Sequence, residues 1–413
     1  MRQFNEHSKF KFLSLILLFI VCRKFGIFQF FYYLTPVFLL LTIIYVSCVD
    51  RYRNKISGIW LRSKKDIIII FSFPVYVLLT TFWSIYPMMT FQRALYFLLL
   101  YAGIFAINIL TQNWQLKIFV KILLAANIFL IIISIITYVF SNQLYVWTDG
   151  GYWSGFKSLY GHSNVYASAL LFTLVGVMPY FLERESQNIL QKYNHGIMNK
   201  IGTLFYPSVL VGLNIFFILI SYSRNSIVSL GFGTFIFLLA QKYFKLVYSI
   251  LILLFIITTI YFSNESFRNT LLQYLEKGSG NFFAHRTVLF EPSLEAAKLG
   301  GIFGLGLGVS APNIRVERPY QVDEPEIFIR EKGNSTLAII EETGLIGLIL
   351  FLIPVLLIFK NISVMNLNFN QFLFLPIFAT LLLHSQFESW WVWVGSPELQ
   401  IYLLIMLKNF KVH

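Results

Sequence analysis

Long apolar blocks dominate the chain, and its polar residues gather in the stretches between them. A bilayer core takes roughly 20 apolar residues per helix, and a backbone in lipid must satisfy its amides within its own segment. Each block of that length therefore predicts a spanning helix. About twelve emerge, near residues 10–22, 25–49, 67–86, 91–110, 118–140, 163–182, 204–222, 226–240, 246–262, 337–359, 371–388 and 395–407. Residues 263–336 interrupt this pattern. Within them the spacing of Leu289, Leu294, Ala297 and Leu299 predicts an amphipathic helix lying on the membrane surface.

The expected fold class is all-α: a polytopic transmembrane helix bundle of about twelve helices with one long extracytoplasmic loop containing amphipathic helices. The expected organisation is an N-terminal bundle over 1–262, the loop over 263–336 and the C-terminal helices over 337–413, in one integrated membrane domain. Composition agrees, with 57% hydrophobic and 12% charged residues, far more apolar than a soluble domain. The N-terminus has a basic start and an apolar run like a signal peptide. Another apolar segment follows at once and no small-residue cleavage site precedes Cys22, so the run reads as a retained first helix. Cys22 and Cys48 fall in apolar runs with no C-x-x-C spacing, which predicts small core residues and no metal site.

Charge changes the picture through its sidedness. The formal net charge is +13. With both termini cytoplasmic, the inner segments hold about 19 Lys and Arg against about 5 acids, including DRYRNKISGIWLRSKKD, and the outer segments come out slightly acidic. This places residues 263–336 outside and leaves no outward basic stripe for nucleic acid. No repeat with a period of 20–50 residues is visible, and no pair of interrupted helices suggests inverted halves.

The informative polar residues then fall at the outer surface. In SLYGHSNVYASAL, His162 and Asn164 stand at a helix entry with Lys157 shortly before, where a plain N-cap by Ser163 or Asn164 is the alternative. In ISYSRNSIVSLGFG, Arg224 is the one charge for many residues, and it faces either a polar cavity or the head groups. His285 and Arg286 begin the amphipathic stretch of the loop. The glycines at 304, 306 and 308 beyond it lack the preceding strand and following Lys–Ser/Thr of a nucleotide site.

Glu341 and Glu342 lie about two turns inside an apolar block, with no basic residue near them in the same helix. Either they face a water-filled cavity and support the arginines, or the membrane starts only near Gly344 and they sit in water at a helix N-terminus. Gly344 and Gly347, three apart, predict a close helix contact. In HSQFESWWVWVGSPE, Glu388 stands among Trp390, Trp391 and Trp393. An interfacial aromatic belt is one reading; indole faces stacked on sugar rings, with a carboxylate for the hydroxyls, is the other.

Together these pieces resemble the O-antigen polymerase and ligase superfamily of bacterial envelope glycosyltransferases. The resemblance spans most of the chain. It rests on GNSTLAIIEETGLIGLILF after the long loop, SYSRNS between two spans, the GHSN helix entry, and Arg286 followed by the glycine-rich segment to Gly308. It implies transfer of a glycan from a polyprenyl-pyrophosphate carrier at the outer face of the bacterial cytoplasmic membrane, with no cofactor and no metal. The implied partners are the lipid-linked oligosaccharide and membrane lipids, with a chain-length regulator and a flippase as candidates.

A diphosphate leaving group needs fixed cations, and arginine binds phosphate oxygens bidentately. Arg224 and Arg286 are the first choice for that role, helped by Lys157, Arg93 and Arg330. The ligase branch carries a histidine immediately before the Asn–Ser of the first motif. Here Gly333 precedes Asn334. Glycine accepts no proton, which points to the polymerase branch with Glu331 or His285 as base. His162, Asn164, Asn334, Glu341, Glu342, Glu388 and Trp391 complete the expected substrate-binding set. A ligase acting on lipid A core or protein, and a flippase or transporter, are the competing functions.

Overall fold

A computed structural model describes residues 30–110, 116–140, 146–147, 153–160, 163–175, 197–240, 242–276, 284–311, 332–361, 369–393 and 396–409. Their helices are α1 (Phe30–Cys48), α2 (Asp50–Leu79), α3 (Pro87–Leu110), α4 (Leu116–Phe140), α5 (Ser163–Val175), α6 (Ile197–Ile220) and α7 (Arg224–Ala240). They continue with α8 (Phe244–Ser263), α9 (Glu265–Glu276), α10 (Ala284–Gly300), α11 (Ser335–Asn361), α12 (Phe369–Ser385) and α13 (Pro397–Asn409). Besides these the described residues hold a 3-10 turn at Thr80–Phe82 and a two-residue antiparallel pair, with Val146 opposite Ser154 and Trp147 opposite Trp153.

Five segments among the described residues are long and apolar enough to cross a membrane: Ser63–Phe82, Pro87–Ile109, Leu123–Phe140, Phe244–Ser263 and Ser335–Leu357. A sixth is added if Thr35–Cys48 and Tyr52–Leu61, bent by 85°, form one broken span. Four further apolar helices are shorter. The expected helix at 10–22 lies outside the described residues. Cys48, expected in the core, is exposed at the end of α1, and Cys22 also lies outside the described residues.

The chain divides into two compact units. One holds Met1–Gln29, Trp114–Phe282 and Val364–Leu383, and the other Phe30–Asn113, Phe283–Ser363 and His384–His413. In the first unit, polar side chains join the helices. Asn127 of α4 and Asn214 of α6 exchange amide hydrogen bonds in both directions at 2.8 Å, and Asn127 also donates to Thr173 of α5 at 2.7 Å. All three are buried, and in an apolar surrounding loss of either asparagine would leave the other with an unmet side-chain oxygen.

In the second unit, α2 begins earlier than the apolar block suggests. Ile59 and Ile67 are buried with Val46, Ala106 and Ile109, so the basic segment has an apolar side to pack, and Lys55 donates to the Ile109 carbonyl near the end of α3 at 2.8 Å. The helix is broken at Ser63. An aromatic core follows, in which the Phe351 ring stands 5.1 Å from Phe73, 4.7 Å from Trp391 and 5.5 Å from Tyr402, between centroids.

The loop between α8 and α11 contains helices, and α10 packs on the protein through its small residues. Ser293, Ala296, Ala297 and Gly300 are buried, while Leu294 and Leu299 are exposed. α10 packs against α11, and small residues let the backbones approach: a Cβ at Gly300 would collide with the carbonyl of Ile340.

The close contact expected from Gly344 and Gly347 takes another form. Gly344 does not sit on a helix face; it breaks α11, with φ 71° and ψ −177°, a conformation open essentially to glycine alone. The groups released by the break are taken up by the glycine-rich segment. Leu305 and Gly306 amides donate to the Glu341 and Glu342 carbonyls at 2.9 Å, and the Leu345 and Ile346 amides donate to Gly301 and Ile302 at 3.0 and 3.2 Å. Irregular backbone at this depth is tolerated because protein covers it.

Candidate functional site

The segment just before α11 begins with Lys332, Gly333 and Asn334. Asn334 caps the helix, its Oδ1 accepting the Leu337 amide at 2.9 Å, while its Nδ2 donates to the Gln386 carbonyl at 2.8 Å. Ser335 Oγ donates to the Glu388 carbonyl at 2.6 Å and accepts the Trp391 amide at 3.2 Å. Asn334, Glu388 and Trp391, far apart in sequence, are thus joined at one helix end. The Trp390 and Trp391 rings are 3% and 2% exposed within the aromatic core, whereas Trp393 is 50% exposed. The indole of this cluster open to a sugar ring is therefore Trp393.

Glu341 and Glu342 are 0% and 3% exposed and do not open onto water. Their partner is Lys332, absent from the set expected from sequence. Its Nζ lies 3.4 Å from Glu341 Oε2 and hydrogen-bonds Glu342 Oε1, and it also donates to the Val309 carbonyl at 3.1 Å. The carboxylates reach onward to the glycine-rich segment. Gly308 N donates to Glu342 Oε2 at 2.6 Å and Ala311 N to Glu341 Oε1 at 2.9 Å. These are charge-assisted bonds in a dry setting, strong enough to fix the segment. A signal for Lys332 was present in the sequence: two acids inside an apolar block require a cation, and Lys332 stands three residues before the helix start.

Arg93, on α3, meets the same segment from the other side. Its half-buried guanidinium donates from Nη1 to the Gly308 carbonyl at 3.1 Å. Ser84 and Thr90 hydroxyls, 2.6 Å apart, lie against Gly306, where a Cβ would strike them. His285 and Arg286 stand in the first turn of α10, with side chains outside the described residues. The next turn of the helix lies near the Gly333 motif, because a Cβ on Gly333 would come 3.0 Å from the Cβ of Leu289. His162, Arg330 and Glu331 lie outside the described residues.

The other unit carries Arg224, Lys157 and Asn164. Arg224 opens α7, half-buried, amid the buried Ser221, Ser223, Asn225, Ser226 and Ser229. The turn closes with Tyr222 at φ 53° and a Ser223–Ser226 hydroxyl bond of 2.9 Å. Phe156 N donates to the Ile220 carbonyl at 3.0 Å, which holds exposed Lys157 beside this turn. Asn164 is half-buried near the start of α5. Among the described residues, no three His, Cys, Asp or Glu side chains are grouped to hold a metal ion.

Residues 209–352 match the family model described as O-antigen ligase. This segment supports the O-antigen polymerase and ligase superfamily. The match covers about a third of the chain and contains Arg224, His285, Arg286, the glycine-rich segment, Lys332, Asn334, Glu341 and Glu342. Arg93, Lys157, Glu388 and Trp391 lie outside it. No curated protein and no solved structure matches the chain. With its apolar helices, the match supports a multi-pass membrane protein of O-antigen ligase or polymerase type.

Proposed function

We propose that the protein is a polymerase of surface polysaccharide repeat units, working at the outer face of the bacterial cytoplasmic membrane. It transfers a growing glycan from a polyprenyl-pyrophosphate carrier to the end sugar of a second lipid-linked unit. The acceptor hydroxyl oxygen attacks the anomeric carbon of the donor sugar. The bond from that carbon to the diphosphate oxygen breaks, its electron pair leaves with the polyprenyl diphosphate, and the hydroxyl proton passes to Glu331 or His285. Arg224 and Arg286 oppose the charge that develops on the leaving group.

Gly333 is the observation that favours polymerase over ligase. Leu289 stands 3.0 Å from where its Cβ would be, so the position holds no base and has little room for an imidazole. A ligase remains the second reading, favoured by the description of the matching family.

Deleting the gene and analysing lipid-linked glycans tests the proposal, with Arg224→Lys as the point variant. Single repeat units on the carrier, in both strains, are the expected result. Long chains stranded on the carrier would transfer the assignment to a ligase, and units confined to the inner leaflet would transfer it to a flippase.

A further inference from the structure

The second unit holds a cation whose binding capacity is almost unused. Arg93 makes one hydrogen bond, to the Gly308 carbonyl, and no ion pair among the described residues. A guanidinium has five N–H donors in a planar fork suited to phosphate. A half-buried arginine in an apolar helix, with no direct ion pair among the described residues, is costly unless an anion completes it.

Its setting is also built, not incidental. The Gly308 backbone is held on both sides, its carbonyl by Arg93 and its amide by Glu342, and Glu342 is in turn locked by Lys332. Gly308 has φ 80°, and a Cβ there would fall on the Arg93 side chain, 2.7 Å from Nε. The chain of contacts thus runs from a buried ammonium, through a carboxylate and the backbone of a single residue, to a guanidinium with free donors. Rigid support of this kind makes a side chain an effective binder, since little freedom is left to lose on binding.

We propose that Arg93 is a further phosphate-binding residue, taking a phosphoryl oxygen of the lipid-linked diphosphate, and that Gly308, Glu342 and Lys332 act as its positioning residues. The inference rests on the polyprenyl-diphosphate reading above. Lys332 is taken up by Glu341 and Glu342, and the cation left with open donors is the one they support through the Gly308 backbone.

The test uses full-length protein in nanodiscs of neutral phosphatidylcholine, titrated with geranylgeranyl diphosphate. Arg93→Ala should weaken binding about tenfold or more, the loss of a charge-assisted contact, and Arg93→Lys should recover only part of it, having charge without the fork. Gly308→Ala, which keeps the arginine and displaces it, should weaken binding similarly at an unchanged amount of folded protein. Equal affinity of Arg93→Ala and wild type would overturn the inference alone. Absence of diphosphate binding by the wild type would overturn the underlying reading as well. A defect of Arg93→Ala seen only when phosphatidylglycerol is added would assign the arginine to lipid head groups and refute the proposal.

Discussion

Replacing Lys332 by Met removes the cation that, among the described residues, holds Glu341 and Glu342, and leaves two adjacent carboxylates at 0% and 3% exposure. At the 3.4 Å separation from Glu341, attraction to the ammonium amounts to about 5 kcal/mol at an effective dielectric of 20. Much of this repays the desolvation of the groups, but that repayment disappears when one partner is deleted. Breaking a buried pair from one side typically costs about 3–5 kcal/mol. For a unit of this size that corresponds to a fall in melting temperature on the order of 10 °C. The assay is thermal unfolding in nanodiscs followed by tryptophan fluorescence, which Trp83, Trp390 and Trp391 of the same unit report. Glu342→Gln and the double variant complete the cycle. The double variant should be more stable than the sum of the two losses allows, because Glu342→Gln removes one of the two charges that Lys332→Met strands. A Lys332→Met protein within a degree or two of wild type, or strictly additive losses, would refute the reasoning.

Two further outcomes follow from the fold. Gly344→Ala places a methyl group against the Ile302 carbonyl at a φ of 71°, so the yield of folded protein, read by fluorescence-detected gel filtration, should fall sharply; a normal yield would mean that the helix break is not required. Asn127→Ala leaves Asn214 without its cross-helix partner and should lower stability by about 1–2 kcal/mol, with Asn214→Ala adding little more in the double variant.

The relation between acids and glycines shows where sequence reasoning stops. That Glu341 and Glu342 need an explanation follows from their place in an apolar block, since the cost of a charge there is a property of the solvent. Which group supplies the explanation is a matter of how the chain turns before α11. Lys332 precedes the cap residue and folds back along the helix, and the amides of Gly308 and Ala311 come from a segment some thirty residues earlier. In the same way, Gly344 looks like a packing position while its neighbours are assumed helical. Only the pairing with residues 301–306 shows it to be a break.

Trp391 makes the point for aromatics. One residue type serves a membrane belt, a sugar platform or a core, and its contact with Phe351 puts it in the third class, with Trp393 left outside.

The amino-acid sequence by itself determined the solvent and the class: blocks of about 20 apolar residues can satisfy their backbones in lipid only as helices, and this holds whatever the blocks pack against. It also singled out Arg224, Gly333 and the two acids, because charge and missing side chains are local properties. Tertiary structure decided the partners. Arg93 meets Gly308 across 215 residues, and Lys332 secures the Gly308 backbone through Glu342. Such contacts depend on distances between segments, and no local pattern encodes those distances.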